Sequence, residues 1–313
     1  MAKTHPLKNK LVTLLGGSGF LGNYVAQSLL ERGARLRLVS RNPENCFKLK
    51  PLANLGQLQI GRCDINDEQS LFAAISGADA VINLVGTFDG DLNATMGRAA
   101  GTAARIAGET GAGSFVHVSA IGADPESLAK YGQAKALGEK LVQEAFPNAS
   151  IIRPSVVFGS DDAFINMFAQ LVQMAPALPV FGPEAKMQPA YVDDVAEAIV
   201  TALGDPAKHG GRIFELGGPE VISMMDMHKR IAAAQRRSPM LIPMPDIASS
   251  VFASLPLTPM SRDQWVMLKA GNIASGEHPG FKQLGIEPKP LGVFLDKWMV
   301  QYRKHGRFAQ AST

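Results

Sequence analysis

A glycine-rich turn directly behind a short apolar strand constrains this chain more than any other feature. The strand is predicted at Leu11–Leu15, and four of the next seven residues are glycines in G-x-G-x-x-G-type spacing. Glycine permits a tight turn, a close approach of an anion to the backbone, and close packing of the next helix on the strand. The free N–H groups of that helix attract phosphate. The predicted dinucleotide-binding turn is Gly16, Gly17, Ser18, Gly19, Phe20, Leu21 and Gly22.

The first 160 residues alternate short β-branched runs with helical stretches, which is typical of a parallel sheet covered on both faces. The predicted strands are Leu11–Leu15, Arg35–Val39, Gln57–Arg62, Ala80–Val85, Phe115–Ser119 and Ser150–Val157. The predicted helices are Leu21–Arg32, Gln69–Ile75, Thr95–Thr110 and Ala129–Glu144. With right-handed crossovers, these elements form an α/β, doubly wound parallel sheet of Rossmann type.

The pattern changes after residue 158, where prolines cluster and the chain becomes richer in methionine. A helix is predicted at Tyr191–Leu203, and a strand at Arg212–Leu216 is expected to return to the main sheet. A smaller C-terminal lobe, mostly helical, is expected over the carboxyl ends of the strands, where a substrate or partner binds. The expected domains are 1–158 with about 189–217, and about 159–188 with 218–313.

The end of the second strand favours NADP(H) over NAD(H). An NAD-binding chain usually has an acid there to bind the ribose 2′-hydroxyl, whereas this chain has Ser40 and Arg41, with no carboxylate before Glu44. Ser40 can donate a hydrogen bond to a 2′-phosphate, and Arg41 can pair with it; the alternative is a solvated loop arginine. Asp64 and Ile65, after the third strand, are predicted to flank the adenine, although an ordinary turn aspartate fits nearly as well.

A candidate catalytic triplet follows the fifth strand. Tyr131 and Lys135 are four residues apart on a predicted helix and therefore share one face, and Ser119 ends the preceding strand. The lysine and an oxidised nicotinamide ring are expected to lower the tyrosine pKa towards neutrality, so that the phenol can act as an acid–base group. The alternative is a surface pair of helix residues without chemistry.

These motifs together resemble the extended short-chain dehydrogenase/reductase superfamily over nearly the whole chain. The resemblance implies that Ser119, Tyr131 and Lys135 are catalytic. It further implies that the nicotinamide end of the cofactor is lined by Leu84, Val85, Gly86, Pro154 and Ser155.

Several segments resemble one branch in particular, the NADPH-binding accessory subunits of respiratory complex I (NADH:ubiquinone oxidoreductase) and their alphaproteobacterial relatives. These segments are Gly16–Gly22, Val118–Pro125, Ala145–Pro147, Ile152–Gly159, Gln188–Val195 and Pro256–Trp265. The resemblance implies a protein that holds NADPH and associates peripherally with a respiratory complex. Ser40, Arg153–Gly159 and Gln188-Pro189 depart from the nucleotide-sugar epimerases, so a nucleotide-sugar substrate is disfavoured.

Other polar residues have simpler interpretations. Asp161-Asp162 and Asp193-Asp194 are predicted to cap the helices that follow them. The six histidines lack metal-ligand spacing, and His117 is interpreted as a packed strand residue. Cys46 and Cys63 are interpreted as reduced thiols of a cytoplasmic protein, and about ten residues before the first strand leave little room for a leader.

The overall charge and hydropathy exclude other classes of protein. The 31 basic and 28 acidic residues give a formal charge of +3 without a basic run, which argues against nucleic acid. The chain contains no run of 18 apolar residues that would predict a transmembrane helix. The Met/Pro-rich stretch near residue 240 is expected to be adaptable core, or alternatively an exposed partner or membrane face.

Two functions therefore remain open at this point. One is an NADP(H)-dependent oxidoreductase that acts on an unknown small carbonyl or quinone, located in the cytoplasm or on the inner face of the membrane. The other is an NADPH-binding structural or assembly factor of a respiratory complex. A nucleotide-sugar epimerase and a nucleotide-sensing regulator fit less well.

Overall fold

The structure is a computed structural model that describes residues 5–254 and 260–304. Contacts divide the chain into two compact units, each of which is discontinuous in sequence. The first unit comprises Met1–Pro154, Val192–Leu216 and Ala274–Glu287, and the second comprises Ser155–Tyr191, Gly217–Ile273 and Pro288–Thr313.

The strands and the α-helices are each numbered in chain order. The strands are β1 Leu11–Leu15, β2 Arg35–Ser40, β3 Leu58–Arg62, β4 Ala80–Asn83, β5 Ser114–Val118, β6 Ser150–Pro154, β7 Val157–Phe158, β8 Ala177–Val180, β9 Lys186–Met187, β10 Ala190–Tyr191, β11 Ile213–Leu216, β12 Ile222–Ser223 and β13 Met240–Pro243. The α-helices are α1 Phe20–Glu31, α2 Glu68–Ile75, α3 Ala99–Glu109, α4 Lys130–Ala145, α5 Ala163–Met174, α6 Val192–Gly204, α7 Pro206–His209, α8 Met224–Ala234, α9 Asp246–Ser254, α10 Arg262–Ala270 and α11 Gly292–Trp298.

The first unit is built on a seven-stranded parallel sheet with strand order β11-β6-β5-β4-β1-β2-β3. The order reverses between β1 and β4, which makes the carboxyl ends of these two strands the place where an open α/β sheet binds its ligand. The predicted return of Arg212–Leu216 is confirmed, because β11 pairs with β6. The doubly wound α/β fold is thus as predicted.

Small residues let two helices of this unit pack at close range. A Cβ on Gly101 of α3 would lie 2.6 Å from Leu141 Cβ of α4. Ahead of α3, the residues Asn93–Arg98 form a π-helical segment that also contacts α4. Such a segment often lies at a functional site. Thr95 of this π-helical segment lies beside the ligand-binding edge of the sheet.

The second unit has short two-stranded ladders around helices. β7 pairs with β10 and β8 with β13, both in parallel, while β9 and β12 are antiparallel. Its core contains Phe158, Ile165, Val180, Met227 and Ile231. The predicted cap Asp162 is confirmed, since its carboxylate accepts a hydrogen bond from the Ile165 backbone at the start of α5.

Most element boundaries lie within a few residues of those predicted, but three assignments change. The sixth strand ends at Pro154, not Val157, because Val157 and Phe158 pair with β10 in the second unit. Asp193 and Asp194 were predicted as caps, but they lie inside the first turn of α6, which begins at Val192, within one residue of the predicted start at Tyr191.

The third difference concerns Ala274–Glu287, which was assigned to the smaller lobe but packs with the first unit. Glu215 on β11 holds this segment. Its Oε2 accepts hydrogen bonds from the backbone N–H and the hydroxyl of Ser275 at 2.6 and 2.8 Å, and its own N–H donates to the Pro279 carbonyl at 2.9 Å.

Within the described ranges, no helix is both long and apolar enough to cross a membrane. Of the segment Pro256–Trp265, the part up to Pro259 lies outside the described residues. The described part begins α10, whose cap Ser261 forms a reciprocal capping box with Gln264.

Candidate nucleotide site and catalytic triplet

The glycines of the turn after β1 differ in what requires them. Gly16 has φ +78°, in the left-handed region that favours glycine. A Cβ on Gly17 would lie 2.8 Å from Leu38 Cδ2, and one on Gly22 would lie 2.7 Å from the Gly17 carbonyl oxygen. Gly16, Gly17 and Gly22 are therefore required by the turn and by the packing of α1 on the sheet.

Gly19 is different, because nothing within the protein requires a glycine there. Its φ of −75° and ψ of 174° are open to any residue, and the nearest atom to an added Cβ would be the Gly16 carbonyl oxygen at 3.6 Å. Gly19 is also the N-cap of α1 and brings no side chain to cap it. The free first-turn N–H groups and the open backbone fit a bound pyrophosphate.

A cleft extends from this turn along the carboxyl ends of β1, β2 and β4. Of the predicted residues, it is lined by Gly16, Ser18, Gly19, Ser40, Arg41, Ile65, Leu84, Val85 and Gly86. Phe20 and Leu21 open α1, and the Phe20 ring packs edge-on against Tyr24 at 5.5 Å. The structure thus brings most of the predicted nucleotide residues into one continuous cleft.

The end of the cleft beside β2 is polar and carries positive charge. The Ser40 hydroxyl is buried beside the Cys46 thiol, and Arg41 is exposed at the same end of the cleft. Among the described residues that line the cleft, none is acidic. A hydroxyl donor and an exposed guanidinium suit a 2′-phosphate group, which an acid would repel.

Asp64 does not line the cleft, although Ile65 does. The Asp64 carboxylate accepts a hydrogen bond from the backbone of Asn66 at 3.0 Å, which is the geometry of a turn aspartate. The alternative interpretation of Asp64 as an ordinary turn residue is the one that the structure supports.

The candidate triplet lies at the other end of the cleft, where Lys135 binds two backbone carbonyls. Its ammonium donates to the Val118 carbonyl at 2.9 Å and to the Val85 carbonyl at 3.3 Å. A Cβ on Gly86 would lie 3.7 Å from Lys135 Nζ and 3.9 Å from the Tyr131 hydroxyl. Lys135 and Tyr131 therefore face Gly86, which lines the nucleotide cleft.

Ser119 follows Val118 directly, and its hydroxyl is buried without a hydrogen-bond partner. Pro154 ends β6 nearby in the sheet, and its carbonyl accepts from the Ile121 backbone at 3.1 Å. Ser155 belongs to the second unit, where its hydroxyl donates to Asn272 Oδ1 at 2.5 Å. Its hydroxyl is thus already engaged there.

Burial sets the protonation of the two ionisable members of the triplet. It raises the pKa of Tyr131 to about 12, the opposite direction from the lowering that the sequence predicted, because removal from water disfavours the phenolate. Burial lowers the pKa of Lys135 to about 8, while the Glu139 carboxylate one turn further along α4 acts to raise it. At neutral pH the phenol is protonated and the ammonium is mostly charged.

His117 is fully buried, which confirms its interpretation as a packed strand residue. Asn83 Nδ2 donates to His117 Nδ1 at 3.2 Å, and Asn83 Oδ1 accepts from the Val85 backbone at 3.1 Å. Burial lowers the pKa of His117 to about 3, so the ring is neutral. These hydrogen bonds orient the backbone that follows β4, where the Val85 carbonyl accepts a hydrogen bond from Lys135.

Sequence reasoning missed Phe88, whose ring stacks on that of Tyr131 with 4.7 Å between centroids and 20° between planes. Phe88 is 52 % exposed, which is unusual for a large aromatic ring beside a buried phenol. The further cleft residues Asn42, Cys63, Asn66, Thr87 and Thr95 were also missed. An aromatic residue two positions after Gly86 was the one available signal.

Known proteins show where this arrangement belongs. Residues 12–217 match the model of the NAD dependent epimerase/dehydratase family. The chain belongs to this family. That stretch contains the glycine turn, the cleft residues and the triplet. Among the described residues, no three His, Cys, Asp or Glu side chains come together to hold a metal ion.

Relatives within the family support the narrower resemblance. The chain is 32 % identical to the Arabidopsis thaliana protein "NADH dehydrogenase [ubiquinone] 1 alpha subcomplex subunit 9, mitochondrial", over 95 % of this chain and 79 % of the relative. It is 30 % identical to a Caulobacter vibrioides "Ceramide reductase", over 63 % of this chain and 62 % of the relative. The chain is thus an extended short-chain dehydrogenase/reductase relative of complex I subunits.

Solved structures agree on the fold. The Escherichia coli NADPH-dependent quinone oxidoreductase QOR2, complexed with NADPH, superposes with a TM-score of 0.73 at 18 % identity. The match covers 91 % of this chain and 99 % of that structure. At this level of identity the likeness establishes the shared fold.

Proposed function

We propose that this protein binds NADP(H) in the cleft and reduces a small carbonyl or quinone substrate with Ser119, Tyr131 and Lys135. One observation carries the proposal. The Lys135 ammonium and the Tyr131 hydroxyl both lie within 4 Å of the Cβ position on Gly86, at the end of the nucleotide cleft. Two ionisable side chains that are buried together beside a cleft, with shifted pKa values, are typical of a functional site.

Each residue has a role that its protonation state suits. NADPH, when bound, supplies the hydride that reduces the carbonyl carbon. The Tyr131 phenol, protonated at neutral pH, donates its proton to the substrate oxygen, and water later restores that proton. The C–H and O–H bonds that form convert a ketone to an alcohol, and the cofactor is oxidised in return.

Ser119 and Lys135 position the reacting groups. The Ser119 hydroxyl has no protein partner and can donate to the substrate oxygen. Lys135 has three N–H donors, of which two bind the Val118 and Val85 carbonyls. The third is left for a ribose hydroxyl or for the Tyr131 oxygen, where its positive charge stabilises the phenolate that proton transfer creates.

The preference for NADP(H) rests on the end of the cleft beside β2. Ser40 offers a buried hydroxyl, Arg41 offers an exposed guanidinium, and the lining includes no acid among the described residues. Pairing a doubly charged 2′-phosphate with these groups is favourable, because arginine binds phosphate in a bidentate manner.

Turnover with purified protein tests the proposal. The nucleotide that copurifies is identified by mass spectrometry, and NADPH oxidation is followed at its absorbance band with short-chain ubiquinone, menadione and small aldehydes and ketones. Tyr131→Phe should lower kcat by about two to four orders of magnitude, as for other proton donors, while the Kd for NADPH changes little. Turnover that survives Tyr131→Phe contradicts this assignment.

Ser119→Ala is the matched variant, because it removes one unpartnered hydroxyl and leaves the packing in place. It should lower kcat by less than Tyr131→Phe does and leave the Kd for NADPH unchanged. Ser76→Ala is the control, since the Ser76 hydroxyl donates to the Phe72 carbonyl at the end of α2 and does not line the cleft. It should leave kcat close to that of the parent protein.

A second function is favoured by the relatives. The 32 % identity to complex I subunits extends over 95 % of this chain, and it includes both units. In this alternative the protein holds NADPH as a structural ligand and associates peripherally with a respiratory complex. Stoichiometric NADPH with no turnover on the whole panel, together with comigration with complex I from membranes, would establish it in place of the oxidoreductase.

A further inference from the structure

The second unit has a cationic cleft that the nucleotide site does not use. It lies between the C-terminal half of α5 and the residues that follow α8, and it is lined by Arg236, Arg237 and Lys304. Of the ten described residues that line this cleft, three are cationic and none is acidic. Arg236 and Lys304 are exposed, so their charges face solvent. This cluster of like charges fits an anionic partner.

Arg237 is held in the wall of this cleft with one donor unused. Its Nη2 donates to the Tyr302 carbonyl at 3.5 Å, while its Nε is buried without a hydrogen-bond partner. A buried guanidinium N–H without an acceptor is costly. The arrangement is incomplete without an oxygen-bearing group.

Arg236 occupies a backbone position that disfavours arginine. It follows the C-cap of α8 with φ +57°, in the left-handed region. The Arg237 N–H donates to the Ala232 carbonyl at 3.0 Å and that of Arg236 to the Ala233 carbonyl at 2.9 Å, which is the usual helix-ending motif. Glycine is the residue expected there, so the arginine costs conformational free energy. A role of its charge at the surface would explain why arginine is present.

Exposed apolar residues adjoin the cleft. Met167, Leu171 and Met174 form one stripe along α5, at helical spacing, and Met174 is 80 % exposed. Met174 also lines the cleft. The stripe therefore reaches the three cations at its C-terminal end.

The outer face of the β8–β13 ladder continues this apolar surface. Ala177 pairs with Met240 and Pro179 with Ile242, and all four residues are exposed on the same side of the ladder. The Met240 N–H donates to the carbonyl of Pro176, which lines the cleft. A two-stranded ladder with an apolar outer face beside three cations is unusual on a fully solvated surface.

We propose that this surface, defined by the cations Arg236, Arg237 and Lys304 and the apolar residues Met174, Met240 and Ile242, docks on an anionic phospholipid bilayer. The cations bind lipid phosphates, and the flanking methionine and isoleucine side chains enter the interface between head groups and acyl chains. The charge complementarity selects an anionic membrane over a neutral one, and the apolar flank selects a bilayer over a soluble phosphate. This docking is independent of whether the protein turns over a substrate.

Vesicle flotation of the full chain tests this surface. The probes are vesicles of phosphatidylcholine alone and vesicles of phosphatidylcholine mixed with phosphatidylglycerol. The protein should float with the mixed vesicles at low salt, should not float with phosphatidylcholine alone, and should be released by high salt. Equal binding to both kinds of vesicle, or to neither, overturns the proposal.

Two charge variants identify the surface. Arg236→Gly removes a cation and places the preferred residue at the left-handed position, so lost binding cannot be due to unfolding. Each of Arg236→Gly and Lys304→Gln should weaken vesicle binding by about fivefold, the effect of one cation near an anionic membrane. Arg236→Lys should keep most of the binding. Lys282→Gln, an exposed lysine of the first unit, is the charge-matched control and should change nothing.

The apolar flank and the competing explanations have their own tests. Met174→Gln with Met240→Gln should weaken vesicle binding further while NADPH binding stays unchanged. Glycerol phosphate added in solution should not displace the protein from vesicles. If glycerol phosphate binds and displaces it, the cleft is a small-anion site. If the surface binds an acidic protein and no vesicles, it is a protein interface. Either outcome refutes membrane docking.

Discussion

The Lys135 ammonium lies 2.9 Å from the Val118 carbonyl oxygen, and it also binds the Val85 carbonyl. One side chain of α4 thus connects the carboxyl ends of β4 and β5, which are neighbours in the sheet. The position of the triplet relative to the nucleotide cleft is therefore set by strand pairing and a buried ammonium, more than by loop conformation. Several measurable consequences follow from this arrangement.

The pH dependence of carbonyl reduction should follow Lys135. Its pKa of about 8 lies below that of a free lysine, so the ammonium is charged below pH 8 and loses its proton as the pH rises through that value. Tyr131, with a pKa of about 12, stays protonated throughout this range. We expect kcat/KM for reduction to be flat at neutral pH and to fall above about pH 8, in an initial-rate profile at saturating NADPH.

Glu139→Gln tests the cause of that fall. The Glu139 carboxylate raises the pKa of Lys135 against the effect of burial, so its removal should move the fall in kcat/KM to lower pH. A fall that stays in place in Glu139→Gln, or one that moves upward, would contradict the assignment to Lys135.

The pKa shifts of Lys135 and Tyr131 also make the free energy of unfolding depend on pH. The folded pKa of Lys135 is below its unfolded value, so the unfolded chain binds more protons between about pH 8 and 10.5, and Lys135 adds stability as the pH rises through this window. Tyr131 has the opposite sign, because its folded pKa is raised from 10.0 to about 12 and its contribution is lost as the pH rises there. The phenolate absorbance of the parent protein minus that of Tyr131→Phe reports on Tyr131 alone. This difference should show no ionisation of Tyr131 below about pH 11 in the folded protein.

Two glycine variants should separate binding from stability. Gly19→Ala meets no atom of the protein closer than 3.6 Å, so we expect its melting temperature to stay near that of the parent protein while NADPH affinity falls by at least about tenfold. Gly22→Ala places a Cβ 2.7 Å from the Gly17 carbonyl and should lower the free energy of unfolding by roughly 1–3 kcal/mol. Urea unfolding and fluorescence titration with NADPH measure both. Full NADPH affinity in Gly19→Ala would show that the cofactor does not approach this backbone.

Arg41→Ala should separate the two cofactors. A charge-assisted hydrogen bond to a phosphate contributes about 1.5–3 kcal/mol, so the Kd for NADPH should rise by about one to two orders of magnitude. The Kd for NADH, which lacks the 2′-phosphate, should change little. Equal losses for both nucleotides would mean that Arg41 supports the loop and does not read the phosphate.

The sequence predicted the fold well because local signals and tertiary structure agree in the parallel sheet. β1 was predicted to the residue, and most other strands of the sheet within a few residues, since buried parallel strands appear as continuous apolar runs between turn residues. The turn glycines were found for the same reason. The pattern of the sequence and the packing of α1 require the same residue type at the same places.

Long-range features could not be predicted in this way. The stacking of Phe88 on Tyr131 joins residues 43 positions apart, and the Asp64 turn bond depends on which way one carboxylate points. The segment Ala274–Glu287 returns to the first unit through hydrogen bonds with Glu215, and no periodic pattern in the sequence indicates these bonds. The raised pKa of Tyr131 depends on burial, which spacing on a helix does not reveal.

Arg153 on β6 should be the most stability-critical charged residue of the first unit. Its guanidinium binds Glu139 of α4 with two hydrogen bonds, at 2.8 and 2.7 Å, and Glu215 of β11 at 3.4 Å. Both carboxylates are 6 % exposed, so Arg153→Met leaves two buried negative charges without their cation. We expect a loss of about 3–5 kcal/mol in the free energy of unfolding, measured by urea denaturation monitored by circular dichroism.

Two further variants show whether charge or packing is responsible for that loss. Arg153→Met combined with Glu139→Gln removes one of the stranded charges and should recover part of the lost stability, since the penalty comes from uncompensated carboxylates. Arg105→Met breaks an exposed pair with Glu68 and Glu109 and should cost far less, because solvent screens those charges. If Arg105→Met costs as much as Arg153→Met, or if the double variant is no more stable than Arg153→Met alone, the buried pairs are not what holds α4 and β11 to β6.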